Sequence, residues 1–227
     1  MLDFDINWAL RFFPKILSRL PATLLIAAVS SFAGLLLGAL MALIRIERVP
    51  VLRWTSAALV SFLRGTPVYI QLFVVYYGLP MLLRAFGLNI MRADKMFFVL
   101  FAYSFNVAGF ASEMIRAAVE SVPRHQWDAA YSAGLTKRQA YLRIIIPQSV
   151  VIALPSAGSL VTAMLHDTAL ASVMGIMDVL ERARSLGAHN LRSLEAYFDV
   201  AVLFVVLALL LERGFKHLEK RYTKRGA

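Results

Sequence analysis

The chain has 227 residues, 59% of them hydrophobic and only 17% charged, with a mean hydropathy of +0.67. A soluble domain of this length needs more polar residues to cover its surface, and the apolar residues here come in long blocks, so the pattern points to lipid as the solvent. The net charge of +10 lies between those blocks and in the tail, which assigns it to membrane topology and anionic headgroups rather than to nucleic acid, and the absence of cysteine excludes disulfides.

The N-terminus does not read as a cleaved signal, because Asp3 and Asp5 precede the first basic residue and the first apolar block is too long. That block, about 21–44, carries no charge and is long enough to cross a bilayer. Within it Gly34 and Gly38 form a small-xxx-small pair, a face that lets a second helix approach closely. The second block, about 56–83, has Arg64 as its one internal charge, and the Gly65-Thr66-Pro67 that follows predicts a bend or a helix restart. Tyr69, Tyr76 and Tyr77 suit interfacial anchors. A third block, about 96–115, contains Asn106, which needs a partner inside the bundle. Glu113 and Arg116 share a helical face at its end. The fourth block, about 148–165, is interrupted by Pro155 and Gly158 and ended by His166-Asp167; the apolar run Ala169–Met177 that follows is too short to span. The fifth, about 196–211, has Asp199 near one end. Asp178, Glu181, Arg182 and Arg184 read as a solvated helix face between the last two. The whole, residues 1–227, is a single all-α transmembrane domain with five spans.

Arg and Lys number three in 45–53, five in 116–143 and six in 212–227, against three in each of 1–20, 84–95 and 166–195. The excess predicts that the first set is cytoplasmic, with the N-terminus outside and the C-terminus inside.

The cytoplasmic loop between the third and fourth spans is too patterned for a plain connector. Pro123 suits a helix start, Gly134 a helix stop, and Thr136 with Gln139 a capping box that opens a second helix. That second helix is expected to end at Ile144-Ile145-Ile146-Pro147. The result is a two-helix hairpin with a glycine joint.

The spacing Asp128-Ala129-Ala130, Gly134, Ile144-x-Ile146-Pro147 resembles the EAA loop of bacterial ABC importer permeases of the MetI-like fold. It departs from that pattern in Asp for Glu at 128 and Ile for Leu at 146. Arg64-Gly-Thr-Pro67, Gln71-Leu-Phe73, Tyr76-Tyr-Gly-Leu-Pro80, Glu113-x-x-Arg116, Gln126 and His166-Asp-Thr-Ala-Leu-Ala-Ser172 are similar to the polar amino acid group, the histidine, glutamate, glutamine, arginine and opine permeases. His125 stands where the group usually has Gly, and His166 where it often has Lys. The resemblance covers roughly Ala22 to Leu211. It implies a multi-pass protein of the bacterial inner membrane that works with a second permease subunit, identical or not, an ATPase subunit docked on loop 123–147, and a periplasmic or lipid-anchored binding protein. It implies ATPase contact for Arg124, Asp128, Ala129, Ala130, Gly134 and Pro147. No Gly-x-x-x-x-Gly-Lys-[Ser/Thr] loop occurs, so ATP and Mg are expected on the partner ATPase and no cofactor on this chain.

Asp167 is charged where charge is costly, which suggests contact with a cationic group of a substrate, assisted by Thr168 and Ser172. The alternatives are an ion pair with Arg182 or Arg184 and a position outside the bilayer altogether. Glu113 and Gln71 are further substrate candidates, with an intrahelical pair to Arg116 as the other reading of Glu113. Arg64 fits either a side chain reaching to the headgroups or a subunit contact. No metal-ligand or nucleophile constellation is present: His125, His166, His189 and His217 are far apart in sequence. The competing function is a carrier or channel driven by an ion gradient without an ATPase, which leaves the capped hairpin unexplained.

Overall fold

The computed structural model describes residues 4–223; Asp3 and the tail cations Lys224 and Arg225 lie outside the described residues. The order is α1 (Ile6–Leu17), α2 (Leu20–Ile46), α3 (Leu52–Gly65), α4 (Val68–Ala85), α5 (Lys95–Glu120), α6 (Arg124–Ser132), α7 (Lys137–Met174), α8 (Val179–Asn190) and α9 (Ser193–Thr223). Of these α2, α4, α5, α7 and α9 are long and apolar enough to cross a membrane. Five candidate membrane helices are thus present, the number expected, with limits that differ from those expected.

Helix α2 shows how lipid inverts the usual pattern. Its large side chains Phe32, Leu36, Leu40 and Leu43 face outward, while Gly34, Gly38 and Ala42 are buried. The small face lies against α5: a Cβ built on Gly34 would sit 2.5 Å from Val107, and one on Gly38 would sit 2.6 Å from the Ala111 Cβ. Helices in lipid associate through such packing, because tails solvate leucine as well as a protein core does. The sequence pair Gly34-x-x-x-Gly38 is thus an intramolecular helix contact.

Three expectations need correcting. The second block restarts at Pro67 as the sequence predicts, but the span begins there and not at about 56. Pro67 restricts Thr66 to an extended backbone (φ −115°, ψ 140°), so α3 stops at Gly65 and the span begins at Val68. The hairpin's second helix does not end at Pro147. A π turn over Tyr141–Ile145 widens the backbone just ahead of that proline, and α7 runs on from Lys137 to Met174. The extra residue in the turn removes the clash between the proline ring and the preceding turn. The same arrangement, a π turn over Val74–Gly78 followed by Pro80, carries α4 through its own proline. Finally, Asp178 is wholly buried rather than on a solvated face, where it caps α8 by accepting the Glu181 N–H at 2.8 Å. Helix α1, for which the sequence reading gave no element, is capped by the Asp5 carboxylate and packs Phe12 and Ile16 against α8 and α9.

The hydrogen bonds and ion pairs sort the connections to two ends. Lys137 pairs with Glu47 at 2.5 Å and Arg45 with Glu113 at 2.7 Å, which brings the 45–53 loop and the hairpin to one end. At the other, Thr23 accepts the Val179 N–H at 3.3 Å and Glu195 accepts the Asp5 N–H at 3.2 Å.

Candidate functional site

The first candidate region is the hairpin. Gly134 adopts φ +75°, and nothing lies within 4 Å of a Cβ placed there, so the glycine is required by backbone conformation rather than by space. Its N–H donates to the Tyr131 carbonyl and that of Leu135 to the Ala130 carbonyl, the Schellman closure of a helix. The capping box then forms as the sequence predicts: the Gln139 N–H donates to Thr136 Oγ1 at 3.4 Å and the Thr136 N–H to Gln139 Oε1 at 2.9 Å.

The two faces of α6 differ. Trp127 stacks edge-on against Tyr141 of α7 (centroids 4.8 Å, 84°), Gln148 Nε2 donates to Gln126 Oε1 at 3.3 Å, and Ala130 is buried beneath them. Arg124, Asp128 and Ala129 lie on the exposed face. The predicted contact residues are thus divided: Arg124, Asp128 and Ala129 point outward, Ala130 and Gly134 fix the hairpin's shape, and Pro147 is exposed on α7 next to the π turn. Glu47 joins the hairpin to the α2–α3 loop through Lys137, a contact no sequence motif marked.

Near that end Glu113 engages two guanidiniums, Arg45 through Oε1 at 2.7 Å and Arg116 through Oε2 at 2.8 Å. Arg116 also reaches Glu120 at 2.6 Å. The pair with Arg116 was legible from spacing; the crossing to α2 was not.

The second candidate region is a small cavity of about 130 Å³ between α5 and α7, walled by Asn106, Phe110, Leu160, Ala163 and Asp167 among others. Its Asn106 is tied through Gln71 to the break between α3 and α4. Gln71, buried in α4, donates from Nε2 to the Leu63 carbonyl (2.8 Å), the Thr66 carbonyl (3.0 Å) and Thr66 Oγ1 (2.8 Å). The two carbonyls are groups that the break leaves without helical partners. Its Oε1 accepts from Asn106 Nδ2 at 3.2 Å, so the partner that Asn106 requires is Gln71.

At its far end α7 tightens to a 3₁₀ turn over Thr168–Met174. Tyr103 Oη donates to the Asp167 carbonyl at 2.6 Å there. Thr168 and Ser172 donate their hydroxyls to the Leu165 and Ala169 carbonyls at 2.6 and 2.7 Å. Of the five predicted substrate residues, Asp167 is the one that lines the cavity. Gln71 acts on it through Asn106, Thr168 and Ser172 stabilise the turn beside it, and Glu113 belongs to the ion-pair cluster. Sequence reasoning had no signal for Tyr103 or Phe110. Among the described residues no three His, Cys, Asp or Glu side chains are grouped to hold a metal.

Comparison with known proteins agrees with this architecture. The chain is 38% identical to the L-cystine transport system permease protein TcyL of Bacillus subtilis, over 97% of this chain and 92% of that one. It is 33% identical to the probable glutamine ABC transporter permease protein GlnM of Bacillus subtilis, over 88% and 90%. Among solved structures, an amino acid ABC transporter crystallised with histidines superposes with a TM-score of 0.85 at 28% identity, covering 96% of this chain and 99% of that one. The MetNI methionine ABC transporter shares the fold, with a TM-score of 0.73 at 18% identity over 91% and 95%. Residues 34–224 match the family described as binding-protein-dependent transport system inner membrane component, and the chain belongs to that family.

Proposed function

We propose that the chain is the permease subunit of an ATP-driven importer in the bacterial inner membrane, carrying a polar amino acid handed over by a binding protein. The observation that carries this reading is the hairpin. It is a short helix with Arg124, Asp128 and Ala129 on its free face, anchored to α7 by Trp127 and shaped by Gly134. Such a projection is built to be gripped by another protein. The excess of Arg and Lys assigns its end of the bundle to the cytoplasm, with the N-terminus outside and the C-terminus inside. A separate ATPase subunit docks there, holds ATP and Mg, and moves the hairpin as a rigid body when it closes. This chain has no phosphate-binding loop of its own. A second permease subunit, identical or not, completes the pathway.

The cargo class follows from the relatives, which are named for cystine, glutamine, arginine and octopine transport. The cavity bearing Asp167, roughly halfway along the bundle, suits the ammonium group these compounds share. Deletion of 123–140 tests the coupling role. The shortened chain should still insert in the membrane but fail to co-purify with the ATPase. Retention of the ATPase would refute the reading, and uptake by the purified wild-type chain in liposomes without ATP would favour a gradient-driven carrier.

A further inference from the structure

Helix α1 carries three stripes, where an ordinary surface helix carries two. Ala9, Phe12 and Ile16 are buried, the last two against α8 and α9. Ile6, Leu10, Phe13 and Leu17 recur at helical spacing on a second face, and Leu10 is 66% exposed. Asn7, Arg11, Lys15 and Ser18 form a third face, wholly exposed. Arg19 follows it and is also exposed. Among the described residues Arg11, Lys15 and Arg19 have no ion-pair partner.

A stripe of bare Ile, Leu and Phe is costly in water, and the place of α1 in the chain says what covers it. The helix ends at Leu17 and the span α2 begins at Leu20, so its last turn lies where the chain enters the membrane. Leu24 and Leu25 of α2 are exposed too and carry the apolar surface on into the span. With 12 residues α1 is about 18 Å long, too short to cross. Pro14 has no N–H, so the Leu10 carbonyl lacks its helical partner. Hydrocarbon would leave that oxygen unsatisfied, whereas the hydrated headgroup layer supplies a donor. Trp8 is half-buried, with the Arg11 guanidinium carbon 5.6 Å from its ring centroid, an amphipathic pair suited to the same layer.

We infer that α1 is an interfacial anchor lying along the membrane surface, its Ile6–Leu17 stripe in the acyl chains and Arg11 and Lys15 on the headgroups of anionic phospholipid. Charge complementarity selects the headgroup, since the cations run alongside the open apolar stripe and nothing in the chain neutralises them. The inference is independent of the cargo and takes from the proposed function only the leaflet, which that topology makes the outer one. The same helix grips α8 and α9 through Phe12 and Ile16, so the lipid surface steadies the outer end of the bundle.

The chain has no cysteine, so single cysteines can carry a bimane fluorophore at chosen positions. Leu10→Cys and Lys15→Cys are labelled in the permease–ATPase complex, with any ATPase cysteines replaced. The complex is placed in nanodiscs of phosphatidylcholine mixed with phosphatidylglycerol, with bromine on the chains of one lipid or the other. Brominated chains should quench the Leu10→Cys label while aqueous iodide does not, and the Lys15→Cys label should behave in the opposite way. Ile6→Cys repeats the measurement on the same stripe. Quenching at Leu10→Cys should show a preference for phosphatidylglycerol of about tenfold or more, as two cations near a headgroup layer supply. Arg11→Gln together with Lys15→Gln should abolish that preference and leave the label in the chains. A Leu10→Cys label open to iodide overturns the assignment. So does a label that brominated chains miss and the added binding protein shields, which would make the stripe a protein contact. Equal quenching by the two brominated lipids before Arg11 and Lys15 are changed overturns the anionic headgroup.

Discussion

Replacing Gly38 by alanine places a methyl group 2.6 Å from the Ala111 Cβ and 2.9 Å from the Ala108 carbonyl oxygen. Carbon atoms prefer roughly 3.5–4.0 Å, so α2 and α5 must part by about 1 Å at this level. Overpacking of this kind costs about 1–3 kcal/mol. The separation also loosens the contact of Gly34 with Val107 one turn away, where a gap of about 0.5–1 Å forfeits a quarter to a half of each contact's dispersion energy. Lipid returns nothing for the loss, since it solvates both faces. At about 2–4 °C per kcal/mol for a chain of this size, the variant should melt roughly 2–12 °C below wild type in detergent, followed by the fraction that stays monodisperse on size exclusion after heating. Gly214→Ala in α9 is the control: nothing lies within 4 Å of its added Cβ, so a helix-propensity gain of up to about 1 kcal/mol should leave the melting point unchanged or raise it by about 2–4 °C. Adding Ala111→Gly to Gly38→Ala should restore part of the loss, because the two methyl groups are the clash. A Gly38→Ala protein as stable as wild type, or one not helped by Ala111→Gly, would refute the close-packing account.

Burial pushes the Asp178 carboxyl up to about 6, against the lowering effect of the backbone N–H groups it accepts. Folding thus favours its protonated form. The stability it contributes is full below about pH 4 and falls as pH rises to about 6, by roughly 2–3 kcal/mol at most; Asp178→Asn keeps the cap and should flatten that slope relative to wild type in melts between pH 4 and 7. Gln71→Leu leaves the Leu63 and Thr66 carbonyls and the Asn106 amide without their partner, at about 1–3 kcal/mol for each buried group, and should lower the melting temperature more than any exposed substitution on α4. Gly134→Ala forces a left-handed backbone on a residue with a Cβ, costing about 1–2 kcal/mol. That cost should appear as faster amide exchange over 130–140 and weaker ATPase co-purification, with the spans unaffected. Lys137→Ala removes an exposed pair worth about 0–1 kcal/mol, so its melting temperature should stay within about 4 °C of wild type.

What was legible in the sequence were features set by local chemistry. The spans follow from runs of apolar residues, the capping box from Thr136 and Gln139, the joint from Gly134, and the helix restart from Pro67. What escaped depends on partners distant in the chain. Pro147 looks like a stop, and only the widened turn behind it, which no residue type announces, lets α7 continue. Asp178 has neighbours in sequence that suggest a wet face, yet α2 lies over it, with Thr23 bonded to the next N–H. For the cavity, Asp167 stands out as a costly charge, whereas Tyr103, Phe110 and the orientation of Asn106 become visible only when α3, α4, α5 and α7 are placed side by side.

Under the proposed function α7, which runs from Lys137 to Met174, places the handle for the ATPase and the wall that carries Asp167 on a single shaft. Thermodynamic reciprocity then applies to them: whatever factor the docked and closed ATPase applies to amino acid affinity, bound amino acid must apply to ATPase closure. Cargo inside the membrane is in that sense a signal as well as a load, and a silent site would mean that the shaft yields at its π turn.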